Sequence, residues 1–122
     1  MDTEWIHDYC LTKIGTECDF KEEWQATRYM IRGKMFAMRG GDKKGSPIIT
    51  VKLSPEFGAH LREEYDAIVP GYYMNKTHWN SLYLEADIPV SVLKTMLDQA
   101  HMLVLSSLSK KVRQEIEKED AY

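Results

Sequence analysis

Thr27-Arg28-Tyr29-Met30-Ile31-Arg32-Gly33-Lys34-Met35-Phe36-Ala37-Met38-Arg39 is the stretch that decides the fold. On either side of one glycine its apolar residues recur with a period of two, which predicts strands over 27–32 and 34–39 joined by a tight turn. Working outward, Gly40-Gly41-Asp42-Lys43-Lys44-Gly45-Ser46 is rich in glycine and lysine and reads as a mobile basic connection. Pro47 then opens a third strand over 48–53, with Ile49, Val51 and Leu53 on one side and Thr50 and Lys52 on the other.

Beyond this meander the period lengthens to that of a helix. Trp5, Ile6, Tyr9 and Cys10 fall on one stripe, with Thr3 placed to cap the helix and Gly15 to end it, which predicts a helix over 5–13. Residues 19–26 are polar apart from Phe20 and Trp24, and read as a loop that fixes both rings in the core. Ser54-Pro55-Glu56 is a cap, a first-turn proline and a first-turn acid, so a helix runs from there to about Tyr65, burying Phe57 and Leu61. Residues 68–74 form a short extended piece broken at Pro70-Gly71, and 79–85 alternate, with Leu82 and Leu84 inward and Trp79, Ser81 and Tyr83 outward. Asp87 and Pro89 announce the longest helix, ending near Leu108, whose stripe is Leu93, Met96, Leu97, Ala100, Val104 and Leu108. Residues 110–122 are a charged tail or a short helix. The order α-β3-α-β2-α predicts one domain over 1–122: a two-layer α+β sandwich with a five-stranded, mainly antiparallel sheet and its helices on one face.

Composition narrows the function classes. The chain has 122 residues, 43% hydrophobic, too many for a disordered segment, and no apolar run approaches the ~20 residues of a membrane span. Met1-Asp2-Thr3-Glu4-Trp5 lacks the basic start and apolar core of a secretory signal, and Cys10 with Cys18 makes a poor disulfide framework, so a reducing cytoplasm with free thiols is expected. His7, His60, His78 and His101 stand at no metal-binding spacing, and neither a Gly-x-Ser-x-Gly elbow nor a Gly-x-Gly-x-x-Gly loop occurs. No metal, no cofactor and no catalytic residue is expected.

The net charge of −3 conceals a local asymmetry. Arg28, Arg32, Lys34, Arg39, Lys43, Lys44 and Lys52 crowd into residues 27–52 against Asp42 alone, while acids dominate the segments on both sides. Such a segment makes a phosphate-binding patch if its side chains share a face, and otherwise serves as the solvated side of a sheet. A second cluster, Pro70 to Asn80, packs Tyr72, Tyr73, His78 and Trp79 beside Asn75, Lys76 and Asn80. Lys76 and Trp79 could hold an anion or a planar ligand; alternatively the amides satisfy the backbone of an irregular loop while the rings cover the sheet. Enzymatic use of Lys76, His78 and Asn80 has only this cluster behind it.

Gly33-Lys34-Met35-Phe36-Ala37, Val51-Lys52-Leu53 ahead of a helix, Pro70-Gly71-Tyr72, and Asn75-Lys76-Thr77-His78-Trp79-Asn80 resemble, in succession, the signatures of the MmcQ/YjbR family. The resemblance runs from Tyr9-Cys10-Leu11 to Lys110-Lys111-Val112-Arg113, and Asn75, Lys76, His78 and Trp79 form its most specific part. It departs from the family pattern at Glu23-Trp24-Gln25-Ala26-Thr27, where relatives carry a Pro-Phe approach to the strand. The resemblance implies a small bacterial single-domain protein, a fold similar to type III secretion chaperones and the CyaY-like group, and DNA binding by a double-wing arrangement. On that expectation Arg28, Arg32, Lys34, Lys43, Lys44, Lys52 and Lys76 contact the phosphates, weakly and with little regard for sequence. The alternative is a protein-interaction or adaptor module, suggested by the chaperone-like fold and by Met30, Met35, Met38, Met74 and Met102, whose soft side chains suit adaptable surfaces.

Overall fold

In the computed structural model, residues 2–71 and 75–120 are described. In chain order they form helix α1 (Trp5–Leu11), strands β1 (Thr16–Lys21), β2 (Ala26–Ile31), β3 (Lys34–Gly41) and β4 (Pro47–Lys52), helix α2 (Pro55–Glu64), strands β5 (Ile68–Pro70) and β6 (Trp79–Tyr83), and helices α3 (Val90–Ser107) and α4 (Lys110–Asp120). The strands make one sheet in the order β1-β2-β3-β4-β6-β5, with every neighbouring pair antiparallel. The α+β sandwich is as expected, but its sheet has six strands, not five.

The hairpin at Gly33 sets the register. Arg32 and Gly33 both take positive φ, 50° and 79°, giving the mirror-image turn whose twist matches the flanking strands. Arg32 is thus a turn residue, not the last residue of the strand. Registers then align Tyr29 with Ala37, Ala37 with Val51, and Ile49 with Leu82, all buried on one face. The register slips between Tyr29 and Met30, and this bulge lets adjacent Phe36 and Ala37 both be buried. Onto this face α3 lays Leu93, Met96, Leu97, Ala100 and Val104, the stripe expected from the sequence apart from Leu108.

Several local expectations are overturned. Much of the segment 19–26, expected as a loop, belongs to β1 and a following 3-10 turn, Glu22–Trp24. As an edge strand with four consecutive exposed residues, β1 carries no alternation for a pattern search to find. Phe20 and Trp24 are not in the core: they are 58% and 50% exposed. Thr3 does not cap α1; its Oγ1 and carbonyl accept hydrogen bonds from the Arg39 guanidinium at 3.0 and 3.1 Å. The 40–46 connection is a defined turn, closed by Asp42 N–H to Ser46 carbonyl at 2.9 Å and Gly45 N–H to Asp42 carbonyl at 3.0 Å. The extended piece survives as the three residues of β5, and Tyr72, Tyr73 and Met74 lie outside the described residues.

The charged C-terminal segment is a helix with a structural task. Ile116 of α4 is buried in the main core, and a Cβ at Gly15 would stand 2.8 Å from its Cγ2. Gly15, at φ +72°, therefore serves both the turn out of α1 and the seating of α4. His101 is likewise buried, edge-on to Phe36, and its Nε2–H donates to the Ile14 carbonyl at 2.7 Å. It ties α3 to the α1–β1 connection. Among the described residues no helix is long and apolar enough to cross a membrane.

Two outcomes follow from this packing. Ile116→Ala should cost about 2–5 kcal/mol in chemical denaturation, as a core deletion does, whereas a loosely attached tail would lose almost nothing. Burial is the main cause that lowers the His101 pKa from 6.5, reinforced by Lys13 and opposed by the bond to Ile14 and by Asp98. The unfolded chain then takes up the proton at higher pH than the folded one, so stability falls as pH drops below 6.5 toward the folded value. His101→Gln should flatten the stability difference measured between about pH 7.5 and about pH 5.5, a range above the carboxylate titrations.

Candidate functional site

Among the described residues no helix packs on the sheet's other face, yet its central residues Ala26, Met38, Ile48, Thr50 and Ser81 are buried. Met38, Thr50 and Ser81 stand side by side across β3, β4 and β6, and Thr50 and Ser81 share a buried hydrogen bond of 2.8 Å. Next to them Ala26, Gly40 and Ile48 make a second row of small or apolar residues. Ala26, Met38, Gly40 and Ile48 floor a trough of about 560 Å³. One wall is Glu23, Trp24 and Gln25; the other is the turn formed by Gly41, Asp42 and Gly45.

Backbone geometry keeps this trough open. A Cβ at Gly40 would stand 3.1 Å from Ala26 Cβ and 3.4 Å from the Gln25 carbonyl, so any larger residue pushes the wall away or fills the floor. Gln25 itself takes φ +49°, a left-handed conformation that costs a side-chain-bearing residue about 1 kcal/mol or more. The opposite wall is braced by Asp42: one carboxylate oxygen accepts the N–H groups of Lys44 and Ser46 at 2.9 Å, and the other accepts the Tyr83 hydroxyl at 3.1 Å. Desolvation alone would raise the Asp42 pKa, but these hydrogen bonds, with nearby Lys44, hold it below the usual carboxylate value. Beside the trough, the Trp24 ring lies 5.7 Å from both Lys21 Nζ and the Arg28 guanidinium.

Of the expected phosphate-binding residues, Arg28 and Lys52 stand on the open face and Lys43 and Lys44 on the turn beside it, while Arg32 and Lys34 lie at the far hairpin. Arg28 is on the open face but holds Asp19 bidentately, through Nε at 2.7 Å and Nη2 at 2.5 Å, and it lowers the Asp19 pKa. Arg32 turns to Glu119 of α4, 2.9 Å away. Lys34 is exposed at the hairpin end, Lys43 and Lys44 at the Asp42 turn, and Lys76 before β6; half-buried Lys52 stands across from Trp79. The positive charge counted along the sequence is therefore divided among separate regions and partly neutralised.

The Asn75–Asn80 segment is built by its own amides. Asn75 Oδ1 accepts the Thr77 N–H at 2.8 Å, and the Asn75 carbonyl accepts the Trp79 N–H at 3.0 Å. The His78 carbonyl accepts the Leu53 N–H at 2.7 Å and Asn80 Nδ2 at 3.3 Å, and the Trp79 carbonyl accepts the Gly71 N–H at 2.6 Å. Asn80 is fully buried beneath α2, where its Oδ1 accepts from Arg62 and a Cβ on Gly58 would approach its Nδ2 to 2.8 Å. Lys76 is exposed, His78 half-buried and Asn80 buried. Cys10 is buried, which pushes its thiol up to about 12, while Cys18 is exposed; both are free. Among the described residues no group of three or more His, Cys, Asp or Glu is placed to hold a metal ion.

An antiparallel sheet covered by helices on one side defines a class of small α+β domain, and solved structures share this fold. The crystal structure of Deinococcus radiodurans protein DR2400 superposes with a TM-score of 0.81 at 24% identity, covering 92% of this chain and 85% of that one. A Pseudomonas syringae protein gives a TM-score of 0.72 at 22% identity, covering 85% of this chain and 99% of that one. The chain belongs to the YjbR family, whose model matches residues 11–103. It is 29% identical over 105 residues to the uncharacterised protein YjbR of Escherichia coli K12, covering 86% of this chain and 88% of that one. It is 32% identical over 116 residues to the uncharacterised YbdF of Escherichia coli O157:H7, covering 91% and 93%.

Sequence reasoning placed Trp79, Ser81 and Tyr83 on the open face but missed the trough. The signal available was a pair of small residues, Ala26 and Gly40, each one position beyond a predicted strand, in segments expected as connections. For the aromatic loop, Asn80→Ala should cost about 1–3 kcal/mol in thermal or chemical unfolding, because it takes the acceptor from the part-buried Arg62 guanidinium, while the His78 carbonyl keeps the Leu53 N–H. Asn75→Ala should cost less, about 1 kcal/mol, since its lost partner is exposed to water.

Proposed function

We propose that this protein is an interaction module that seats an apolar side chain of an extended protein segment in the open-face trough. The observation that carries this reading is the trough itself: about 560 Å³ over Ala26, Met38 and Ile48 on a face where no helix lies. A hollow of this kind, beside an exposed indole, has the make-up of a small binding pocket. The surroundings favour a segment with acidic residues next to its apolar anchor. Glu23 and Asp42 in the walls are engaged, with Lys21 and with the turn backbone, while Lys44 stands exposed beside them.

The DNA-binding reading rests on the same lysines and on the family resemblance. It meets two physical obstacles. Asp19, Glu23 and Asp42 interleave with the cations on and around the open face, and Arg28 and Arg32 already hold carboxylates. A polyanion needs several cations within reach of successive phosphates, and it gains nothing from an apolar floor.

Nuclear magnetic resonance with peptides selected from a random library tests the reading. Peptides carrying one large apolar residue flanked by acids should shift the amide signals of Ala26, Met38, Gly40 and Ile48, and Trp24→Ala should weaken them about tenfold while leaving the fold intact. If no selected peptide perturbs those signals, the reading fails. If instead duplex DNA binds at low salt, weakens steeply with added salt and is lost on Lys43→Glu with Lys44→Glu, the DNA reading replaces it.

A further inference from the structure

We propose that β1 is a homodimerisation edge: two copies pair their β1 strands antiparallel about Asp19, so that the sheet continues across a two-fold axis. Among the described residues β1 ends the sheet and is paired with β2 alone. Glu17, Cys18, Asp19 and Phe20 are all exposed along it. An edge strand presents a row of N–H and C=O groups that a further strand satisfies.

The side chains choose the register. Cys18 and Phe20 lie opposite Tyr29 and Thr27, on the helix-covered side, whereas Glu17, Asp19 and Lys21 lie opposite Met30, Arg28 and Ala26 on the open side. A continuous sheet must match side to side, so a two-fold axis passes through either Cys18 or Asp19, and larger offsets shorten the overlap. Through Cys18, Glu17 of each copy faces Asp19 of the other, acid against acid. Through Asp19, Glu17 of each copy faces Lys21 of the other, giving two opposite-charge pairs, and the facing Asp19 carboxylates are each held by their own Arg28. Directly opposed unlike charges stabilise a strand pair and like charges destabilise it, so the Asp19-centred register wins.

Charged edges commonly serve to prevent pairing. That role requires repulsion in every register, and here one register is self-complementary. The exposed apolar ring of Phe20 points the same way: at 58% exposure it stands in water in the monomer, and in the Asp19-centred register it sits across from Cys18 of the second copy. Lys21 is held by Glu23 at 3.4 Å and lies 5.7 Å from the Trp24 ring; both contacts are exposed, and pairing of the two copies exchanges them for Glu17 of the second copy.

Sedimentation and light scattering of the full chain at rising concentration should show the mass climbing from 14.2 kDa toward twice that value. Glu17→Lys and Lys21→Glu, both at surface positions, should each weaken self-association about tenfold, since each turns two attractions into repulsions. The two single variants mixed together should dimerise, because each supplies the charges the other lacks, and the double variant carrying both changes should self-associate again. Phe20→Cys should form an intermolecular disulfide with Cys18 of the second copy under mild oxidation. A chain that stays monomeric at every concentration, or a mixture no heavier than its separate components, overturns the proposal. So does a wild-type dimer cross-linked through Cys18 to Cys18, which belongs to the Cys18-centred register.

Discussion

Everything in this molecule depends on drying one face of the β2-β3-β4 sheet under α3. Tyr29, Ala37, Ile49, Val51 and Leu82 present a flat apolar surface, and the α3 stripe of Leu93, Met96, Leu97, Ala100 and Val104 covers it. The burial of these side chains provides the main stabilisation. The other elements take their positions from it. α1 adds Ile6 and Cys10 at one end, α2 adds Leu61 near β5, and α4 closes the gap over Gly15 with Ile116. Three polar side chains drawn in by this packing find partners: His101 with Ile14, Asn80 with Arg62, Arg39 with Thr3.

The uncovered face is shaped by what the covered face demands. Alternation along each strand sends every second residue outward, and on β3 and β4 those residues include Met38, Gly40, Ile48 and Thr50. A fully solvated face would carry charge at most of these positions. Here the charges lie at its margins, in Lys21, Arg28, Asp42 and Lys52, and the centre, Met38, Ile48, Thr50 and Ser81, is uncharged and buried. Phe20 and Trp24, half or more exposed on and just after the edge strand, extend this unusual distribution beyond the trough. A left-handed Gln25 and a carboxylate-braced turn stand on the two sides of the trough.

The balance of charge shows why composition along a chain is a poor guide to an electrostatic surface. Arg28, Arg32 and Arg39 contribute to the basic run, yet each bonds to a group distant in sequence or on a neighbouring strand: Asp19, Glu119 and Thr3. Their positive charge ties elements together instead of projecting a common field. The Asn75–Asn80 motif shows the converse. Its cluster of amides and rings looks like a site in the sequence, while in the fold Asn75 shapes the turn and Asn80 anchors α2.

The sequence by itself determined what depends on short-range periodicity. The hairpin about Gly33, the alternation of β4 and β6, the proline-capped α2 and the stripe of α3 were all legible, because each repeats within a few residues and its partners are hydrophobic wherever they lie. So was the two-layer α+β class that these elements imply. The tertiary structure decided the rest. β1 is held by backbone hydrogen bonds to β2 and exposes its side chains, so it leaves no pattern to detect. α4 owes its place to Ile116 meeting Gly15, residues a hundred positions apart. The trough exists because Ala26 and Gly40 become neighbours when β2 and β3 pair, and because separate segments rise on its two sides. Long-range proximity of this kind is absent from local patterning; it arises only when burial of the core fixes every strand in register.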